Sequence, residues 1–189
     1  MIRKILKTSD PQLRTVAKPV NNANKKLLTL LRDMEETLDA QNDPEGLGLA
    51  APQVGVFQRL FVLKPPKSKL QVFINPEIFS LSKKTNDVVK MVNGKRKTEP
   101  TPMMEGCLSL PHYYGPIQRA HSVTLKYYDI QPTTHNLILH KKTFTGFLAH
   151  IIQHEIDHLN GVFFIDHLLK TGRKLYQIKN KEWFEVKLV

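Results

Sequence analysis

Thr143-Phe144-Thr145-Gly146-Phe147-Leu148-Ala149-His150-Ile151-Ile152-Gln153-His154-Glu155-Ile156-Asp157-His158-Leu159-Asn160 is the stretch on which the rest of the chain turns. Its apolar residues Phe144, Phe147, Leu148, Ile151, Ile152, Ile156 and Leu159 leave little of a helical circumference polar. The spacing predicts a buried helix over 143–160, stopped by Asn160-Gly161. That helix carries His154-Glu155-Ile156-Asp157-His158. Histidines at i and i+4 share one helical face, one turn apart, and their rings can converge on one ion. Glu155 projects about 100° away, near enough to reach a water beside that ion. Two imidazoles for a metal and a carboxylate for a proton are what metal-assisted hydrolysis needs. Polar groups on so apolar a helix are costly unless paired or ligating.

Around this helix the chain reads mainly as strands. Residues 121–128 alternate through Val123, Leu125 and Tyr127, and 136–143 through Leu137 and Leu139, with Gln131-Pro132 as the turn. Shorter strands are expected over 56–63 and 70–74, the second ending at Asn75-Pro76. Residues 25–41 read as an amphipathic helix on Leu27, Leu28, Leu31, Met34, Glu35 and Leu38, ended by Asn42-Asp43-Pro44. Residues 80–104, with Asn93-Gly94 beside Lys95-Arg96-Lys97, read as a basic, hairpin-like surface insertion. Past 170, strands over 175–178 and 183–188 flank Lys179-Asn180-Lys181. Short, mostly antiparallel sheets packed around one buried central helix make an α+β architecture.

The chain has 189 residues, enough for one domain, 1–189, with a core that needs no staples. A single cysteine excludes an internal disulfide framework. No apolar run is long enough to span a membrane, and the first residues lack the apolar core of a secretory signal. A cytoplasmic or organelle-matrix location is expected. With 28 basic against 17 acidic residues the formal charge is +11, which fits a lysine-rich surface or a polyanionic partner such as a ribosome.

A catalytic metal site usually has three protein ligands and one open position. His112, His121, His135, His140, His150 and His167 are scattered and read as surface or packing residues. Cys107, in Glu105-Gly106-Cys107-Leu108-Ser109, is the better third ligand. The segment looks irregular between Pro102 and Pro111. A thiolate there would favour Fe, Zn or Ni. A third cluster, Gly46-Leu47-Gly48-Leu49-Ala50-Ala51-Pro52-Gln53, is small enough for backbone to lie against a ligand or a neighbour. It is not a phosphate loop, for it has no Gly-Lys-Ser/Thr.

Taken in order, Gly46 to Gln53, Glu105 to Ser109 and Gln153-His154-Glu155-Ile156-Asp157-His158-Leu159 resemble the three signature motifs of the peptide deformylases. Ile2-Arg3-Lys4-Ile5-Leu6 and Asp10-Pro11-Gln12-Leu13-Arg14 resemble that family's N-terminus, and the likeness runs from residue 1 to about 168. The resemblance implies a hydrolase that removes the formyl group from formyl-methionine on new polypeptides. It implies Cys107, His154 and His158 as metal ligands and Glu155 as general base, then acid. Gln53 and the Leu108 N–H would form the oxyanion hole. Gly48 would hold the peptide backbone, and Leu47, Phe147 and Ile151 would line the methionine pocket. The implied ion is Fe(II), with Ni, Co or Zn as substitutes. The implied partners are N-formylmethionyl peptides and a transient ribosome contact through the basic surface, with no membrane and no specific nucleic acid.

This chain departs from the better-known members at three places. Residues 80–104 are longer and more basic. His150 stands where an apolar residue or arginine is expected. Residues 170–189 read as a strand pair where some members carry a long basic helix that docks on the ribosome. Two other readings compete. A zinc endopeptidase with the same His-Glu-x-x-His helix would take its third ligand downstream, and His167 is placed for that. A basic nucleic-acid-binding domain with a structural metal would need four ligands.

Overall fold

Asn24 starts the first helix, α1 (Lys25–Asp39), where its side chain accepts the Leu27 N–H at 3.0 Å. Its inward face is Leu27, Leu30, Leu31, Met34 and Leu38, with Thr37 and Asp33 also buried. Leu28 and Glu35, expected on that face, are only partly covered. The polar pair docks the N-terminal segment: Arg3 Nε donates to Asp33 at 3.0 Å, and the Arg3 N–H donates to Thr37 Oγ1 at 2.8 Å.

The computed structural model describes residues 1–88, 91–92, 95–96, 101–131, 134 and 136–188. The strands are β1 (Gly48–Ala50), β2 (Leu60–Leu63), β3 (Gln71–Leu81), β4 (Asp87–Val88), β5 (Met91–Val92) and β6 (Lys95–Arg96). They continue as β7 (Thr101–Cys107), β8 (Leu110–Ile117), β9 (Ser122–Ile130), β10 (Leu137–Thr145), β11 (Leu175–Lys179) and β12 (Glu182–Val186). Two further helices, α2 (Gly146–Leu159) and α3 (Phe164–Thr171), complete the α+β fold. All named strand pairs are antiparallel. One sheet has the order β1-β2-β3-β9-β10, the second β12-β11-β8-β7-β4, and β5 pairs with β6 alone. Among the described residues no helix is long and apolar enough to cross a membrane.

The first sheet lies between two helices. Strand β2 is buried on both faces: Leu60 and Val62 join the α1 core with Leu49 and Ile74, while Phe61 and Leu63 join the α2 core with Phe73, Leu125 and Phe144. From α2, Ala149, Ile152, Ile156 and Leu159 complete that core, each large side chain contributing about 1.5–3 kcal/mol by burial. The second sheet packs on α3 through Ile117, Phe164, Leu168 and Leu175.

Several boundaries differ from expectation for identifiable reasons. Residues 143–145 belong to β10, paired with 122–124 of β9, and the helix begins only at Gly146, whose φ of +62° turns the chain out of the strand. The helix is not buried all round, since Phe147 is 53% exposed. Strand β3 does not stop at Asn75-Pro76. It runs on to Leu81 across register irregularities against β9, with Asn75 at φ 48°; a bulge is where a sheet tolerates proline. Residues 56–59 are a loop rather than the start of β2, because local bonds such as Val56 N–H to Ala51 O (3.1 Å) and Gln58 N–H to Val56 O (2.8 Å) capture the backbone. The short α3 was not expected. Asn93-Gly94, expected as a hairpin turn, lies outside the described residues; β5 and β6 pair antiparallel. The C-terminal strands form as expected, joined at Asn180 and Lys181, both with positive φ as a two-residue hairpin turn requires.

Candidate active site

The segment around Cys107 is a hairpin, not an irregular loop. Pro102 and Pro111 both lie within strands, and the register shifts between Gly106 and Cys107. Such a bulge re-aims the side chains beside it. Cys107 is thereby set against α2, with its Sγ 3.1 Å from His158 Nε2. The rings of His154 and His158, one turn apart, stand edge to face with centroids 4.8 Å apart. One donor atom from each of Cys107, His154 and His158 lies within 4.8 Å of the others, and all three residues are buried.

The donor set fits a divalent cation. Burial alone would raise the Cys107 thiol, but the facing His158 and His154 outweigh it and hold it well below the usual thiol range, toward thiolate. The Cys107 sulfur also receives the Ser109 N–H at 3.4 Å and Gln53 Nε2 at 3.5 Å. His154 Nδ1 lies 2.7 Å from Glu105 Oε1, which leaves Nε2 for a ligand bond. His158 Nδ1 and Glu155 Oε2 are buried polar atoms without hydrogen-bond partners. Burial raises the Glu155 carboxyl to about 7, despite the opposing pull of His154 and His158.

Glu105 is the residue whose importance the sequence reading missed. It is fully enclosed, and Arg119 grips it with Nε to Oε2 at 2.6 Å and Nη2 to Oε1 at 2.7 Å. Burial opposes its ionisation, but Arg119 and His154 hold it well below the usual carboxylate range. Arg119 also reaches Asp157 at 2.8 Å, and Asp157 takes His167 Nε2 at 2.8 Å. His167 is therefore turned to a carboxylate and does not serve as the third ligand that the endopeptidase reading requires. His150, expected at the surface or in packing, is buried with Nε2 2.7 Å from Glu105 Oε2, close but not aligned as a hydrogen bond. Reading 105–107 as a strand would have signalled this, since Glu105 and Cys107 are then two apart and share a face.

The other predicted residues converge on the same place. Gln53 Oε1 accepts the Ala50 N–H at 2.8 Å, which turns its Nε2 toward Ser109 Oγ at 3.2 Å and the Cys107 sulfur. The N-terminal segment ties these motifs together: the Leu6 N–H donates to Gln53 O at 2.8 Å and the Thr8 N–H to Ser109 O at 3.0 Å. Gln153 anchors α2 ahead of β9, donating to Ala120 O at 2.9 Å and accepting its N–H at 3.1 Å. Gly48, on the edge strand of the first sheet, lies directly on Glu155. A Cβ there would overlap the Glu155 carboxylate and sit 2.8 Å from Leu63 Cδ2. A cavity of about 430 Å³ opens over the cluster. Leu47, Gly48, Gln53, Leu108, Phe147 and Ile151 all line it, with His154 and Glu155 at its buried end.

Comparison with known proteins agrees with this geometry. Residues 2–174 match the family model for polypeptide deformylase. A peptide deformylase of Dehalococcoides mccartyi is 41% identical over 178 residues, covering 94% of this chain and 92% of its own. The crystal structure of a peptide deformylase from Legionella pneumophila superposes with a TM-score of 0.71 at 39% identity, covering 89% of this chain and 86% of that one. The Met-Ala-Ser-bound class I type b peptide deformylase of Acinetobacter baumannii superposes with a TM-score of 0.71 at 30% identity, covering 88% and 98%.

Proposed function

The chain belongs to the polypeptide deformylase family and removes the N-terminal formyl group from new polypeptides; we propose that it does so with the residues gathered between β7 and α2. The observation that carries this reading is the buried convergence of Cys107, His154 and His158 beside the buried Glu155 carboxyl. Cys107, His154 and His158 hold the divalent ion that the family uses, and Fe(II) is its native form, with Ni, Co or Zn able to replace it. When bound there, the ion would supply Lewis acidity toward the formyl carbonyl and a neighbouring water.

The chain's own groups do the rest. Glu155 takes the proton of the attacking water as the new C–O bond forms. It returns that proton to the departing amine as the C–N bond breaks, leaving formate and a free N-terminus. Burial, which raises that carboxyl above the usual carboxylate range, suits it to take up a proton and give it back. Gln53 Nε2 and the Leu108 N–H donate to the developing oxyanion. Glu105, fixed by Arg119, holds the ring of His154 in one tautomer. The open edge of β1 at Gly48 accepts the peptide as an added strand. Leu47, Phe147 and Ile151 enclose the methionine side chain; the bound Met-Ala-Ser of the Acinetobacter relative supports a peptide of this kind in the cleft.

The whole chain, 1–189, acts as one catalytic domain; of the basic stretch 80–104, residues 80–81, 87–88 and 101–104 belong to β3, β4 and β7. Its work is cytoplasmic, a reading its bacterial relatives support. The formal charge of +11 suits a transient ribosome contact through that basic surface. The test is to load metal-free protein with Fe(II), Ni(II) or Zn(II) without oxygen, assay formyl-Met-Ala-Ser hydrolysis, and then admit air. Activity should require metal, and the Fe(II) form alone should fade as Cys107 oxidises. Equal decay of all three forms would overturn the thiolate assignment; hydrolysis without metal would overturn the mechanism.

A further inference from the structure

One face of the first sheet is open over the outer parts of β9 and β10. Strand alternation sets Thr124, Lys126 and Tyr128 of β9 on that face, and the register places Thr143, Lys141 and Leu139 of β10 directly opposite them. At one end Tyr128 packs with the α1 core. Beyond it Leu139, Lys141, Thr143 and Lys126 are exposed. Lys126 and Lys141 are cross-strand neighbours of like charge, an arrangement that costs stability. Both ammonium groups lie over one ring, that of Phe79 in β3, at 5.1 and 3.4 Å from its centroid. Phe79 is itself 55% exposed. Glu77 stands across from Lys126 in the β3–β9 register. Among the described residues, however, neither lysine forms an ion pair or a hydrogen bond. Next along the face the Thr124 and Thr143 hydroxyls meet at 2.8 Å on the surface. Lys83 and Lys84, both exposed, follow the end of β3. None of these residues lines the active-site cavity.

We propose that this face binds single-stranded RNA, with Lys126 and Lys141 on its phosphates, a base stacked on Phe79 and the Thr124 and Thr143 hydroxyls against ribose. Binding of a single strand without regard to sequence combines cations for the backbone with an exposed ring for a base. A phosphate that enters between Lys126 and Lys141 removes their repulsion and frees the ring face that their ammonium groups cover. The formal charge of +11 draws a polyanion to the surface. An acidic peptide would satisfy the lysines but would leave the ring without a stacking partner. The two hydroxyls can both donate to and accept from a 2′-OH, which favours RNA over DNA. The face is separate from the catalytic cleft, and the proposal does not depend on the deformylase reading.

The metal-loaded full-length protein tests this by fluorescence anisotropy with a labelled twelve-residue oligouridine, titrated at several salt concentrations between about 50 and 200 mM. Affinity should fall as salt rises. The double variant Lys126→Gln, Lys141→Gln should flatten the slope of log K against log salt by about 1.4, the share of two phosphate contacts on a single strand. Phe79→Ala should weaken binding by about 5- to 100-fold with the slope unchanged, and Phe79→Tyr should keep most of the affinity. Lys179→Gln with Lys181→Gln, on the hairpin of the other sheet, should change neither quantity. Oligodeoxyuridine of the same length should bind more weakly. All these variants should hydrolyse formyl-Met-Ala-Ser at the wild-type rate, which also shows that they fold. No RNA binding, an equal loss from the Lys179 and Lys181 control, an affinity indifferent to Phe79, or equal binding of the DNA strand would overturn the proposal. Binding to phosphatidylserine vesicles without binding to RNA would assign the face to a membrane surface and overturn it as well. Each of these results leaves the deformylase reading standing.

Discussion

Replacing Arg119 with leucine should destabilise the protein and loosen its metal together. The Arg119 and Glu105 side chains are 5% and 4% exposed, and two N–H···O bonds of 2.6 and 2.7 Å join them. Removing one partner of so buried a pair leaves a charge in a medium that solvates it poorly, which typically costs about 3–5 kcal/mol. Here Glu105 keeps His154 at 2.7 Å and Asp157 keeps His167 at 2.8 Å. The loss therefore falls at the lower end, about 3 kcal/mol. For a chain of this size that lowers the Tm by about 6–12 °C. The same carboxylate orients His154, and disturbing such a support commonly weakens metal binding by about 10- to 100-fold. Thermal unfolding at fixed metal loading reads the first effect, and competition with a chelator reads the second. Arg119→Lys should fall between, because an ammonium cannot match the two-pronged bond. Adding Glu105→Gln to Arg119→Leu removes the stranded charge and should recover part of the Tm. A Tm drop under about 2 °C with unchanged metal affinity would refute the claim that this ion pair supports the site.

Other outcomes follow from single contacts. Gly48→Ala should keep the metal but lower kcat by at least about 10-fold, because its methyl group displaces the Glu155 carboxylate; metal analysis with steady-state kinetics checks it. Gln53→Leu should cost about 3 kcal/mol in the transition state, near 10²-fold in kcat, with metal content unchanged; an unaltered kcat would remove Gln53 from the mechanism. Asp166 caps α3 by accepting the Phe163 N–H at 2.8 Å, so Asp166→Ala should cost about 1 kcal/mol in urea unfolding at pH 7. Burial opposes its ionisation, but Arg14 and the Phe163 N–H hold its folded pKa below the ordinary 3.8. The contribution is therefore complete above that value and fades as the pH falls below it; a cost that grows with acidity would contradict this.

Elements with an undisturbed period were legible in the sequence: α1, the β9–β10 hairpin and the C-terminal strand pair all lie close to where apolar spacing puts them. Legibility failed where a local residue type is overruled by its neighbours. Pro102 and Pro111 read as loop markers, yet both sit in the β7–β8 hairpin. Asn75-Pro76 reads as a strand end, yet a register shift carries β3 through it. Thr143 to Thr145 extend the apolar pattern of α2, but strand pairing with β9 claims them. The proposed ligands Cys107, His154 and His158 could be picked out because their residue types are chemically rare and two of them share a helix. The Glu105–Arg119 support was not, because fourteen positions separate the partners and only the hairpin brings them together.

Glu155→Gln tests the central claim most directly. The substitution preserves shape and removes the proton acceptor, leaving Cys107, His154 and His158 in place. The purified variant should bind one equivalent of metal with wild-type affinity while formyl-Met-Ala-Ser turnover falls by about 10²- to 10⁴-fold. Loss of the metal would make Glu155 a ligand, and turnover near the wild-type rate would show that another group moves the proton; either result contradicts the account.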